Sequence, residues 1–411
     1  MDPPSGDRPG EDLDWGVQPR PTHFDAAITP TSYAAPWGSG TLDSTYGIGD
    51  LYRGLVETGY LHPVIGVSGP CGKAWVGGKY GRGGHGDITT TRLGEVSVTF
   101  VGHTPDASIE TCWSFPGARP QPTGTVRFFD IGIRGASDSF VVRASTPSDE
   151  VYLDGCWWLA DRADPTRTYT SGVHQTRTNR LIIRNHLWRG ENPADPGIKF
   201  REHSVAYIKS VRDITLLENN NLYGGNRTGW QVRPQPSHNP MPTCRTMARG
   251  NFGFNLGDNW DPGNGATSDG GAAMTFWVTT QPLYIYDNEI DNFRYKALAV
   301  TGQAPDKNFD TGLIHGAQHA DVYVGGNRFV PGPITERGTA GFSNVARLTL
   351  FNDNHFEGRV TLEGQTAYRY NGLPNGEERL QGPWTQPLFK YDPALGAETL
   401  MTEAQILRRI F

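Results

Sequence analysis

The chain has 411 residues, enough for a sizeable core, with 52 Gly and 30 Pro beside only 36% hydrophobic and 19% charged residues. That composition favours many short strands and turns over a helical protein. A net charge of −6 and a pI near 6.0 exclude a global basic field for nucleic acid or anionic membrane, and no apolar run is long enough to span a bilayer.

Residues 1–94 read as an irregular N-terminal region with the first coils of a repeat. The opening MDPPSGDRPGEDLDWG has neither the basic nor the apolar region of a signal peptide. Further on, CGKAWVGGKYGRGGHGD reads as a glycine-rich loop, but no G-K-[ST] closes it as a phosphate loop would require. Cys71, Cys112, Cys156 and Cys244 are too scattered for a zinc site. Cys71 and Cys112 are either bridged or two free thiols.

From 95 to 365 a repeat emerges. VTFVGHT near Val98 is an early coil, and SFVVRAS extends the series. Six alternating strands then end on a small polar residue: VYLDGCWWL, LIIRNHLW, ITLLENNNL, LYIYDNEI, VYVGGNRF and LTLFNDNHF. The shared position is assigned to Cys156, Asn185, Asn220, Asn288, Asn327 and Asn354. Second strands follow, among them GVHQT, GIKFRE, GWQVRP, ALAVTG, PITERG and RVTLEG, and a third precedes several copies. No such coil can bury its own apolar residues, but stacked coils about 4.8 Å apart bury a continuous core and pair the backbone. The expected fold is all-β, a right-handed parallel β-helix with three strands per coil and an Asn ladder at one turn.

These repeats resemble the pectate-lyase-like β-helix superfamily, which carries such an Asn column. The resemblance rests on repeat shape, so it implies the fold together with a range of functions: polysaccharide lyases, glycoside hydrolases, and structural or adhesion proteins. It also implies an exported protein, secreted, periplasmic or at the cell surface.

Alternation on the second strands turns Ile198, Phe200, Trp230 and Val232 inward. It then lines up His174, Lys199 and Gln231 in one outer column and Thr176, Arg201 and Arg233 in the next, a local cationic cluster. For β-elimination on a uronate polymer, a base removes a proton while cations neutralise the carboxylate. Arg201, about 7 Å from Lys199, repels its charge by about 2.4 kcal/mol at an effective dielectric of 20 and makes the lysine a usable base. Arg201 or Arg233 would hold the carboxylate, and His174 would serve as proton donor or second base. The bland alternative is a solvated face on which these cations pair with Glu202 or Asp213.

Residues 234–273 show no clear period and are expected to form a long loop beside that face. The loop offers Trp260 for stacking, and His238, Arg245 and Arg249, with Glu202 from the strand, as substrate contacts. Asp258, Asp261 and Asp269 supply oxygens for Ca2+, the one cofactor suggested, although none is required. Two outward carboxylates side by side, the requirement of a glycoside hydrolase, are not evident on the strands. Trp158 and Leu187 are expected in the core, with Trp157 and Trp188 outside. Residues 366–411 form a C-terminal extension ending in a helix, with Leu400, Ala404, Leu407 and Phe411 at helical spacing, expected to cap the open edge.

The favoured function is an exported lyase acting on an anionic polysaccharide substrate. Its rivals are a non-catalytic glycan-binding or adhesion protein and, third, a hydrolase.

Overall fold

The computed structural model describes residues 8–28, 33–35, 38–40, 62, 64–76, 97–115, 125–135, 142–144, 148–160, 168–189, 191–192, 195–199, 201–223, 228–233, 244–254, 256, 272–278, 281–293, 296–302, 321–332, 340–343, 347–351, 353–357, 360–363, 367–370 and 377–380. Every regular element among them is a β-strand. The chain divides into two compact units, one of residues Gly16–Thr215 and one of Leu216–Phe411 with Met1–Trp15.

In the unit of Gly16–Thr215, Ala26–Ile28, Val64–Val67, Ser97–Gly102, Thr125–Phe129, Ser148–Asp154 and the end of Thr168–Arg184 pair in parallel, one after another. This first ladder aligns Ile65, Phe100, Phe128, Leu153 and Ile183, all fully buried. Stacking identical positions brings like side chains together, and the Phe100 and Phe128 rings lie 5.5 Å apart. A second ladder joins Ser108–Phe115, Gly132–Gly135, Trp157–Ala160 and Leu187–Arg189. A third aligns Trp113, Val142 and Val173.

The other unit repeats the plan. Its first ladder aligns Ala248, Ile285, Val324 and Leu350. The second aligns Leu222, Gly253, Ile290, Phe329 and Phe356. The third aligns Trp230, Met274, Leu298, Ala340 and Val360. Gly253 leaves room that Ile290 and Leu256 fill, since a Cβ there would stand 2.7 Å from each. Antiparallel pairing joins Ala26–Ile28 with Tyr33–Ala35, Tyr33–Ala35 with Gly38–Gly40, Glu191–Asn192 with Asp195–Lys199, and Ala367–Tyr370 with Glu377–Leu380.

Between first and second ladder the chain turns sharply through one residue of positive φ: Asn219, Gly250, Asp287 and Gly326. Gly, Asn and Asp tolerate this left-handed region best. The next residue points inward, forming a column of Asn220, Asn251, Asn288, Asn327 and Asn354. Asn288 shows how the column is satisfied. Its Nδ2 donates to the Ala248 carbonyl at 2.9 Å and to Asn327 Oδ1 at 2.9 Å, while its Oδ1 accepts from the Asn251 backbone N–H at 3.1 Å and Asn251 Nδ2 at 2.8 Å. Successive members are 27 to 39 residues apart, so the ladder ties together segments that are remote in sequence. A buried polar group left unmatched costs about 1–3 kcal/mol, which is why each amide must meet the next. An all-β chain of stacked parallel ladders with such an Asn column is consistent with a parallel β-helix.

The segment expected as a loop over 234–273 contains the strands Arg245–Arg249 and Phe252–Phe254 and supplies Asn251 to the column. In the first unit the corresponding positions are Ile131, Cys156 and His186, because Asn185 itself is the positive-φ residue and the Leu187 N–H donates to the Cys156 carbonyl at 2.9 Å. That one-residue slip exchanges faces: Trp188 is fully buried, whereas Leu187 is aligned with Trp157. Part of the glycine-rich stretch is the strand Pro70–Val76, whose register sets Cys112 opposite Trp75. Cys71 is then about 13 Å along the strand from that position, too far for a bridge. Past 366, Ala367–Tyr370 and Glu377–Leu380 pair as strands; the expected terminal helix lies outside the described residues.

The N-terminal region also has structure. Residues 8–15 lie over outward residues of the first ladder in the Leu216–Phe411 unit. There the Tyr286 hydroxyl donates to the Pro9 carbonyl at 2.9 Å, Trp15 meets Tyr284 edge-on at 5.9 Å, and Arg8 pairs with Asp287 at 2.8 Å and with Asp353. Residues 16–20 do the same in the other unit, where the Tyr152 hydroxyl is 3.1 Å from both the N–H and the carbonyl of Gln18 and Arg20 pairs with Asp130 at 2.5 Å.

Candidate functional site

The cationic column expected from the sequence is not assembled as drawn. Lys199 ends the strand Asp195–Lys199, which pairs with Glu191–Asn192 in a separate two-stranded antiparallel sheet, Lys199 opposite Glu191. The alternation of GIKF suits any strand and does not specify a partner, so the pattern was satisfied in the wrong place. His174 is on the third ladder with Arg143 as its register neighbour. Arg201 and Glu202 open the strand Arg201–Glu218, which pairs with Thr168–Arg184.

Trp230 and Val232 are buried as their alternation requires, and Gln231 is half-buried between them with Thr275 opposite. Arg233 ends the same strand. On the later coils of this ladder, Ala340–Ser343 supplies a strand, aligning Ala299, Gly341 and Thr361 with Thr275; PITERG lies outside the described residues.

Arg245 and Arg249 make contacts within the fold. The Arg245 guanidinium donates to the Asp14 carbonyl and lies 5.2 Å from the Trp15 ring centre. Arg249 Nε donates to the buried carboxylate of Glu218 at 2.5 Å. Both are on the first ladder, not on the strands of Gln231. His238, Asp258, Trp260, Asp261 and Asp269 lie outside the described residues. Among the described residues no group of three His, Cys, Asp or Glu side chains is arranged to hold a metal ion.

The best-defined surface with chemical potential is the outer side of the second ladder in the Leu216–Phe411 unit, which the sequence reading passed over. Its register makes two columns. Asn221, Phe252, Glu289, Arg328 and His355 stand in one; Tyr223, Phe254, Asp291 and Val330 stand in the other. Inward Leu222, Ile290, Phe329 and Phe356 fix the orientation, each buried between outward neighbours.

Two coils carry the aromatic part. Tyr223 and Phe252 have ring centres 5.7 Å apart, and Phe254 is 40% exposed, one of two large hydrophobic side chains so exposed among the described residues. The next coils are charged. Arg328 Nη1 donates to Glu289 Oε1 at 2.6 Å and to Asp291 Oδ1 and Oδ2 at 2.7 and 2.9 Å, so one guanidinium bridges both carboxylates. The hydrogen bond to Asp291, reinforced by the charges of both acids, raises the Arg328 pKa above its ordinary value. His355 Nε2 lies 3.0 Å from Glu357 Oε1.

An outward acid pair therefore does exist, contrary to expectation. Glu289-Ile290-Asp291 follows directly on the column residue Asn288, and that alternation was the available signal. Glycoside hydrolysis sets its two carboxyls in different surroundings; here one guanidinium contacts both. The face can stack a sugar ring on an exposed aromatic side chain and meet its substituents with carboxylates and a guanidinium on the next strands, one strand spacing of about 4.8 Å away.

No protein-family model, no curated protein and no solved structure matches the chain.

Proposed function

We propose that the protein is an exported carbohydrate-recognising β-helix of the pectate-lyase-like kind, right-handed with three strands per coil, that binds a glycan along the outer face of the second ladder of its Leu216–Phe411 unit. Pairing between every third strand supports the coil reading, and a right-handed crossover is the rule for parallel connections. One observation carries the function: Phe254 is exposed beside Tyr223 and Phe252, in register with Asp291 and next to the Glu289–Arg328 pair. Solvent-facing aromatic rings beside hydrogen-bonding charged groups suit a ligand that is apolar on its ring faces and polar at its edges.

Affinity electrophoresis of the full chain through gels containing soluble polysaccharides tests this reading. Phe254→Ala should release a retarded band with the fold unchanged by circular dichroism. Retardation that survives Phe254→Ala would refute the placement.

β-Elimination on a uronate polymer is the second reading, favoured by one observation, the retention of Arg233 on a third-ladder strand beside half-buried Gln231. Ultraviolet absorbance of the unsaturated product detects it. Arg233→Ala is the informative variant, since Lys199 is in a different sheet.

A further inference from the structure

We infer that the glycan recognised by this face is built of amino sugars carrying free ammonium groups; the inference rests on the glycan-binding reading above and names its ligand class. The argument is one of charge. Glu289, Asp291 and Glu357 contribute three carboxylates, and Arg328 contributes one guanidinium. Among the described residues the carboxylates of this face outnumber its cationic side chains even with His355 counted among the latter, on a chain whose own net charge is −6. A uronate polymer would be repelled here both locally and at longer range.

The aromatic part points the same way. Ammonium groups are attracted to the faces of Tyr and Phe rings, and Tyr223, Phe252 and Phe254 precede the acidic coils directly. A pyranose ring resting on Phe254 extends its substituents over the adjacent strand, where Asp291 is the register neighbour. The carboxylates also accept sugar hydroxyl hydrogen bonds, but a ligand cation is what would restore charge balance. Arg328 binds both acids, so a ligand ammonium competes with it for Glu289 and Asp291.

That competition makes the sign of each variant distinctive. The full chain is titrated by calorimetry with a soluble β-linked glucosamine oligomer, its N-acetylated counterpart and a galacturonate oligomer. The free-amine oligomer should bind about tenfold more tightly than the acetylated one, and added salt should erase most of that difference. A Glu289→Gln, Asp291→Asn double variant should weaken the free-amine oligomer about tenfold and leave the acetylated one little changed. Arg328→Gln should do the reverse and tighten the free-amine oligomer. Phe254→Ala should weaken both sugars together.

Equal affinity for amine and acetylated oligomers, with Phe254→Ala still weakening both, would overturn the amino-sugar inference and keep the glycan-binding reading. Preference for galacturonate would overturn it likewise. Binding abolished by polylysine and indifferent to Phe254→Ala would reduce the face to unspecific cation attraction, and no binding to any of the three oligomers would remove both readings.

Discussion

His186 occupies the turn position that asparagine takes in the Leu216–Phe411 unit, and it is almost fully buried. Burial disfavours the imidazolium and pushes its pKa down to about 4, only partly opposed by a hydrogen bond with the Cys156 backbone. The unfolded chain, with histidine at its ordinary value near 6.5, therefore binds a proton that the folded chain refuses. Stability from this residue is fully present above about pH 6.5 and is lost as the pH falls toward 4. The loss amounts to about 3 kcal/mol at 1.36 kcal/mol per pKa unit. Urea unfolding at pH 7 and pH 4.5 should show it, and His186→Asn should flatten that part of the profile. An unchanged profile would mean that His186 does not titrate between the two states. The neighbouring Cys156 thiol is pushed up to about 12 by burial, which leaves it a packing group without nucleophilic reactivity. The sequence pattern placed Asn185 rather than His186 in this column because asparagine suits both the left-handed turn residue and the inward residue after it. In the run Asn219-Asn220-Asn221 the two roles are side by side, and only backbone dihedrals separate them.

Among the elements, the N-terminal segment was the least legible. Residues 8–15 have no period of two, since they form no ladder, yet they complete the burial of Tyr286, which is fully enclosed. Burial pushes that phenol well above its ordinary pKa, while its hydroxyl keeps a backbone acceptor in Pro9. Gly10 is the constraint that makes the contact fit. Its φ is +87°, and a Cβ there would stand 2.7 Å from the Tyr284 ring. Gly10→Ala combines a left-handed alanine with overpacking and should cost about 2 kcal/mol or more. A lower denaturant midpoint, with faster proteolysis within residues 8–28, is the expected result. An unaltered midpoint would show that the segment adds nothing to stability. The strand elements were easier to read. Trp230 and Val232 turned inward as their alternation required.

At the scale of the whole molecule, stacked parallel strands leave open edges, and open edges invite association. In the Leu216–Phe411 unit the last parallel strand, Ala367–Tyr370, is not left bare, because Glu377–Leu380 pairs with it in antiparallel fashion. A chain truncated after residue 371 should form concentration-dependent assemblies detectable by light scattering. A monodisperse product would show that this pairing does not guard the edge.

The amino-acid sequence alone determined the class of fold. Recurrent alternation and repeated asparagines require partners for the same apolar face and the same amide in every copy, and stacking parallel strands supplies both. It could not determine which strand partners which, because a period of two is equally content in a hairpin, as Lys199 shows, or in a ladder. Nor could it show that Arg245 and Arg249 serve the structure, or that Glu289 and Asp291 share Arg328, for those outcomes depend on registers between segments tens of residues apart. Only the tertiary structure set those registers, through the joint burial of side chains and satisfaction of backbone groups. In doing so it set Lys199 apart from the third ladder and brought Tyr223, Phe254, Glu289, Asp291 and Arg328 onto one outer face.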